Sequence, residues 1–336
     1  MDLLSDVLRD LRLESVVIST SELRAPWGFD KDTVCGAAPF HVIVEGRCRL
    51  DIPERPTIEL AVGDLVVFPH GDRHSLSSDA DASRVPFSTI LEASGLRSRW
   101  TPGQRLERLG EIRYGGHGTL TRMINGLFVF RDRRSNPLVE SLPAVLHVQG
   151  RMGRGPDWLQ SSLSLLIDET LSGRPGFQTL TERLADIVFV QAVRNHMSAA
   201  PSDTAGWLRG LSDPQVARAL SLIHARPGEP WTVASLASSV ALSRTAFARR
   251  FRELLGSSVM EYVAARRMHA AAGLLAESTH AMNAIASAVG YESEISFNKA
   301  FKRWAGVPPG QYRRQSKRHP ASPERAFRVA DHAPPT

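Results

Sequence analysis

Ile285-Ala286-Ser287-Ala288-Val289-Gly290-Tyr291, followed by Phe297, Phe301, Gly306 and Tyr312, is the stretch on which the reading of this chain turns. Its pattern occurs once before: Leu236-Ala237-Ser238-Ser239-Val240-Ala241, then Phe247, Phe251, Gly256 and Tyr262. Phe-x3-Phe-x4-Gly-x5-Tyr keeps the same spacing in both copies, offset by 50 residues. The copies differ by one residue in the turn: Ala237 to Phe247 is ten, Ala286 to Phe297 eleven. Each copy has the logic of two helices crossing steeply. A small residue is needed where the backbones approach, and Ala237 and Ala286 supply it. A permissive residue is needed in the turn, where Ala241 and Gly290 stand. Ser243 and Ser293 are good N-caps for the second helix. Phe247/Phe251 and Phe297/Phe301, at i and i+4, form its buried edge.

The opposite edge is left free. It carries Arg244, Thr245, Ala248, Arg249 and Arg252 in the first copy, and Glu294, Ile295, Ser296, Lys299 and Lys302 in the second. Most of these are types that read base edges or hold phosphates. One such helical hairpin is commonly plain core packing. Two at one spacing, in the basic part of the chain, point to double-stranded DNA. Residues 216–319 hold 15 Lys and Arg against 6 Asp and Glu, whereas residues 1–215 hold 24 against 27. That asymmetry assigns a polyanion partner to the last third. Between the copies, Met260–Glu277 reads as a helix with Tyr262, Met268, Ala272 and Leu275 on its apolar side. If it spaces the two heads, one subunit enters two successive major grooves about 34 Å apart. The site is then an asymmetric pair of boxes for each monomer.

The full 336-residue chain fits a multi-domain globular protein, with 42% hydrophobic and 23% charged residues. No apolar run approaches the roughly 18 residues of a membrane helix, so no membrane partner is expected. Two cysteines, Cys35 and Cys48, make no disulfide framework, and a reducing, cytoplasmic setting fits. Strand-like runs recur early: Phe40–Val44, Ile58–Leu60, Leu65–Phe68 and Thr119–Phe130. Turn signals such as Glu45-Gly46 and Pro69-His70-Gly71-Asp72 separate them, which argues for a sandwich or barrel. Residues 79–115 read as loop or irregular strand. From Trp158 the period becomes helical, breaks at Gly173–Gly176, and resumes from Leu180 to Met197. That long helix is either a core helix under the barrel or a dimer surface; its apolar stripe fits both.

Residues 216–314 resemble the AraC/XylS-type DNA-binding domain along its whole length. The resemblance is carried by Trp231-Thr232-Val233-x2-Leu236-Ala237, Ser243-Arg244-x2-Phe247-x3-Phe251, Arg266-x7-Leu274 and the quoted second copy through Phe301-Lys302-Arg303-x2-Gly306-x-Pro308-x3-Tyr312-Arg313. It implies a bipartite transcription factor, usually an activator, acting with RNA polymerase and dimerising or sensing a ligand through its other half. By position, base reading falls on Thr245, Ala248 and Arg249, and on Glu294, Ile295, Ser296 and Lys299. Ala248 and Ile295 are limited to apolar contacts such as a thymine methyl, and Glu294 to accepting from cytosine.

Gly63-x5-Pro69-x-Gly71-x2-His74 has the spacing of the second cupin motif, and Phe40-His41-Val42-x-Val44-x-Gly46 looks like the strand ending the first. Residues 1–150 thus resemble the cupin half that often precedes this DNA-binding domain, including Glu140-Ser141-Leu142-Pro143-x2-Leu146-His147. Enzymatic cupins hold a metal with a Glu and two His of the first motif and a His of the second. Here Pro39 stands at the Glu place and no His lies near Asp32–Cys35, so no metal, cofactor or enzymatic activity is expected. Cys35, His41, His70 and His74 stay open as a nonstandard metal site, a thiol sensor or plain structural groups. The barrel interior could take a small-molecule effector that no residue identifies.

The expected architecture is therefore α+β: a cupin-like sensor at 1–150, a helical linker or dimerisation segment at 151–200, an interdomain linker at 201–215, an all-α DNA-binding domain at 216–314 and a disordered tail at 315–336. The two helix-turn-helix motifs fall at about 234–252 and 283–303. Two rival readings remain: a cupin metalloenzyme tethered to nucleic acid, and an architectural DNA protein without sequence choice.

Overall fold

The computed structural model describes residues 4–5, 7–8, 13–34, 36–96, 109–130, 137–150, 157–199 and 207–318. The chain divides into two compact units.

The β-rich unit has two sheets. Strands β1 (Leu13–Arg24), β3 (Ala37–Glu45), β6 (Leu65–Val67), β9 (Gly110–Gly115), β10 (Leu120–Phe130) and β11 (Leu146–Val148) form one, in the order β11-β6-β3-β10-β1-β9. Strands β2 (Gly28–Lys31), β4 (Arg47–Asp51), β5 (Ile58–Ala61), β7 (His74–Ser77) and β8 (Val85–Pro86) form the other, in the order β5-β4-β7-β2-β8. Pairing is antiparallel except for β1 with β9 and β2 with β8. Alternation along β10 explains the layering. Met123 packs in the core with Leu23, Trp27, Phe29, Ile43, Leu50, Phe68 and Leu76. Phe128 and Phe130 instead pack, rings tilted, against Phe189 of helix α4 (Phe177–Ala199), at 4.9 and 5.6 Å between centroids. Strand β3 is therefore buried nearly throughout, because a second layer covers each of its faces.

Helix α4 settles the first of the two open readings for one of its faces. Ala185, Val188, Phe189, Ala192 and Val193 are buried, and Ser15 of β1 donates to Asp186 at 2.6 Å. Helix α4 pairs with α3 (Asp157–Ser172) across the expected break, where Gly173 and Gly176 both take positive φ. Leu165, Leu171, Leu180 and Ile187 remain exposed on this hairpin. Residues 79–115, expected as loop or irregular strand, contain β8, β9 and a helix, α1 (Phe87–Ala93), which has no side-chain cap to announce it.

The helical unit contains α5 (Trp207–Ser212), α6 (Pro214–Ala225), α7 (Val233–Ser239), α8 (Arg244–Leu255), α9 (Val259–Glu277), α10 (Met282–Ala288), α11 (Glu294–Ala305) and α12 (Pro309–Arg318). Three features depart from the expected boundaries. The short helix α2 (Pro137–Ser141), inside the stretch assigned to the sensor, groups with this unit and packs on α5. Helix α5 itself lies inside the stretch expected as a linker. Gly210 allows it, since a Cβ there would come 2.8 Å from Leu255 Cδ2, and Trp207 Nε1 donates to the Tyr262 hydroxyl at 3.0 Å. Helix α12 runs on to Arg318, past the expected start of the tail; residues 319–336 lie outside the described ones.

Candidate nucleic-acid interface

The turns and second helices of the two repeats fold alike, although Thr232 caps the first helix of one copy and Ala281 gives that of the other no side-chain cap. Helix α7 ends with Leu242 N–H bonded to Ala237 O at 3.0 Å and Ala241 N–H to Ser238 O at 3.2 Å. Helix α10 ends with Tyr291 N–H bonded to Ala286 O at 2.9 Å and Gly290 N–H to Ser287 O at 3.0 Å. Both are Schellman closures, which need a left-handed residue at the turn. Gly290 takes φ +79° freely; Ala241 takes φ +57° at a cost of about 1 kcal/mol. The single extra residue of the second turn is Glu292, between Tyr291 and the N-cap Ser293.

The second helices start and stop alike. Ser243 Oγ accepts from Ala246 N–H at 3.2 Å, and Ser293 Oγ from Ser296 N–H at 3.2 Å. Gly256 and Gly306 end them with φ +74° and +76°. Phe247, Phe251, Phe297 and Phe301 are buried, as their spacing requires. They are core side chains, not platforms for bases.

The structure leaves the other edge to solvent. Arg244, Thr245, Arg249 and Arg252 are exposed on α8, with Ala248 half-buried. Glu294, Ile295, Ser296, Lys299 and Lys302 are exposed on α11. Ile295 is 70% exposed at the start of its helix, an unusual place for a large apolar group. Arg249 reaches Glu253 at 3.7 Å, an exposed i,i+4 pair of little energetic weight. Arg250 is differently placed: it donates to Asp213 at 2.6 Å, and Asp213 also caps α6 by accepting from Gln215 and Val216. Burial raises that carboxyl, but those hydrogen bonds and Arg250 outweigh it and hold the pKa below the usual range. Arg250 thus braces α8 against the cap of α6 and lies outside the set expected to read DNA.

The sensor candidates separate into different environments. His70 turns to Leu142 O at 2.9 Å, and Cys35 lies outside the described residues. His41 and His74 meet inside the sandwich, Nε2 to Nε2 at 3.1 Å. His74 Nδ1 donates to Asp72 O at 2.9 Å. His41 Nδ1 faces the Asn125 amide at 2.7 Å, and that amide meets Ser19 and Ser21 hydroxyls at 3.2 and 2.7 Å. Burial, with Lys31 nearby, pushes the pKa of both histidines down, His74 to about 3. Two neutral rings need one proton between their Nε2 atoms. As placed, the Asn125 oxygen faces His41 Nδ1 and its NH2 donates to the serines, which leaves two acceptor Nε2 atoms facing each other; turning the amide over, so that its NH2 donates to His41 Nδ1 and its oxygen accepts from the serines, removes that clash. His41 Nε2–H then donates to His74 Nε2, and every group in the row is satisfied.

This donor set does not fit the cupin metal. Two imidazoles face each other, Pro39 occupies the carboxylate position, and no cluster of three or more His, Cys, Asp or Glu suited to a metal occurs among the described residues. Cys48 is buried, and burial first, then Glu59 and Asp64, pushes its thiol up to about 12, away from sensor reactivity. Sequence reasoning missed Asn125, although a lone amide in the apolar run Leu120–Phe130 was a signal.

The histidine pair fixes a pH response. Above about pH 6.5 both rings are neutral in folded and unfolded chains, and stability is complete. Below it the unfolded chain binds protons that the folded one refuses, for His74 down to about pH 3. Stability of the β unit is expected to fall over that window, by up to about 1.4 kcal/mol per pH unit for each histidine. Hydrogen exchange of β3 and β7 between pH 7.5 and 5 measures it. Protection independent of pH would refute the neutral pair.

A sandwich with a polar row in its core, joined to a helical unit with two helix-turn-helix motifs, is the layout of a bipartite regulator of the helix-turn-helix class. Comparison with known proteins agrees. The Cupin family model matches residues 2–198, and a helix-turn-helix domain model matches residues 236–315. An AraC-like transcription regulator of Streptomyces lividans is 34% identical over 96% of this chain and its own full length. The HTH-type transcriptional regulator AlkR of Acinetobacter baylyi is 31% identical over 94% of this chain and its full length. The crystal structure of the AdpA DNA-binding domain in complex with a target DNA matches 33% of this chain and 99% of that chain, at 28% identity and a TM-score of 0.30. This chain belongs to the AraC-type family of transcriptional regulators, with an N-terminal cupin domain, and DNA is its partner. Among the described residues, no helix is long and apolar enough to cross a membrane.

Proposed function

We propose that this chain is a sequence-specific, cytoplasmic regulator that activates transcription. Helices α8 and α11 of one subunit enter successive major grooves on one face of the DNA, at an asymmetric two-box site. The single observation that carries this reading is the likeness of the two Schellman turns and of the serine caps and glycine stops of the second helices. It presents Arg249 and Lys299, Arg252 and Lys302, at equivalent exposed places 50 residues apart. Ile295 supports sequence choice over general affinity, because an exposed isoleucine gains nothing from phosphates and fits a thymine methyl. The cupin unit senses a small molecule and passes its signal to RNA polymerase through the DNA-bound form.

Selection from a random duplex library at near-physiological salt tests the reading. Enrichment of two boxes about one turn apart is expected. Binding without enrichment, with a steep salt dependence, would replace it by an architectural role.

The α3–α4 hairpin serves as the homodimer surface in this reading. Leu165, Leu171, Leu180 and Ile187 give it an apolar face of the kind that partners cover. Leu180→Asp with Ile187→Asp is expected to shift the full chain from dimer to monomer in analytical ultracentrifugation at tens of micromolar, without loss of helicity. A dimer that survives both changes places the interface elsewhere.

A further inference from the structure

The helical unit has two cores and more than one connection between them. Helix α9 is the obvious one: Val259 and Val263 are buried near its start, and Met268, Ala271, Ala272 and Leu275 lie in the second core. Helices are rarely straight, so a contact beside α9 constrains the two cores more than α9 does alone. A second connection runs beside it. The loop between α6 and α7 meets the turn of the second motif backbone to backbone. A Cβ on Gly228 would lie 2.4 Å from Ala288 O, and one on Gly290 2.5 Å from Gly228 O. Arg267 of α9 spans this seam. Its Nε donates to Pro227 O at 3.0 Å, and its Nη2 to Glu229 O at 2.8 Å. Its guanidinium lies 5.9 Å from the Tyr291 ring centroid. The loop is braced in turn: Trp231 Nε1 donates to Arg226 O at 2.8 Å, and Arg226 lies over the Trp231 ring.

We propose that Arg267 is a positioning residue, a clasp across the Gly228–Gly290 seam that fixes the distance and rotation between the two reading helices. The protein then measures the helical phase between its two boxes as well as their sequences. The inference rests on the twin-head reading given above. Each inserted base pair rotates the second box by roughly 35°, which a swinging joint absorbs and a clasped one does not.

Two readouts on the full chain test it. The first needs no DNA. Nitroxides on Glu253→Cys and Lys302→Cys, both exposed, report the distance between α8 and α11 once Cys35→Ser removes the competing thiol; Cys48 is buried. A narrow distance distribution is expected, broadening in Arg267→Ala. Arg267→Lys, which keeps the cation but not the planar fork, falls between, and carries the comparison if the alanine variant does not fold. The second readout is affinity for the selected two-box duplex with its spacer changed by two base pairs. The unsubstituted protein is expected to lose roughly tenfold or more, and Arg267→Ala less than roughly threefold, from a best-site affinity about fivefold weaker. Single-box affinity stays within about twofold. Equal distribution widths, or an unchanged spacing profile, overturn the clasp while leaving the twin heads intact. An unsubstituted protein indifferent to spacing overturns the twin-head reading and the phase measurement together, whatever the labels report.

Discussion

Phe301→Ala is expected to lower the stability of the second helix-turn-helix by about 3–5 kcal/mol, the range for emptying a buried phenylalanine site. The ring is fully buried on α11, with Phe297 at 5.7 Å, Trp304 at 5.5 Å and Tyr312 at 5.3 Å between centroids. These partners come from α11 itself and from α12, and the surrounding core draws on α9 and α10. Aromatic neighbours held on two helices collapse poorly into a void, so the upper part of the range applies. The measurement is hydrogen exchange of α9–α12, which separates this core from the β unit. Protection should fall across all four helices together, and DNA affinity with it. Lys302→Ala, one residue along and exposed, is the control and should leave protection unchanged. A loss below about 1 kcal/mol for Phe301→Ala would mean that the ring does not hold the motif together.

The helical unit was legible in the sequence because its determinants are local. Ala241 and Gly290 mark the turns, the serines mark the starts, and Gly256 and Gly306 mark the stops; each acts within a few residues of itself. The β unit was legible only where strands are apolar runs. Strand β1 escaped because Ser15, Ser19 and Ser21 point inward, and alternation then reads as polar surface. They are tolerated inside because Ser15 bonds Asp186, and Ser19 and Ser21 bond Asn125, over a hundred residues away. Spacing left His41, His70 and His74 open as one group; the structure joins His41 to His74, while a carbonyl claims His70. Arg267 carries no mark in the sequence either. Its partners are main-chain oxygens, which every residue possesses, so only the meeting of two loops distinguishes it from other surface arginines.

Arg249→Ala is expected to weaken binding to the selected site by about 1–3 kcal/mol, or roughly 5- to 150-fold, and to relax the sequence at one position of the first box. The expectation follows from what Arg249 does in the free protein. Its neighbour Arg250 is fixed on Asp213 and cannot leave without exposing a cap. Arg249 meets only Glu253, at 3.7 Å and in the open, a pair whose loss costs little. Its planar fork is therefore available for the two acceptors of a guanine edge. Lys299 occupies the same place in the second copy but carries a point charge, so Lys299→Ala should cost less and relax less. Arg252 and Lys302, a further turn along their helices, are expected to meet phosphates in the proposed reading. Replacing either should weaken all sequences alike and reduce the slope of log affinity against log salt by about one. Titration of the four single variants at two salt concentrations separates the classes. If Arg249→Ala changed the salt slope and left the preferred site unaltered, α8 would be gripping the backbone, and the reading edge of the first copy would have to be sought on another face.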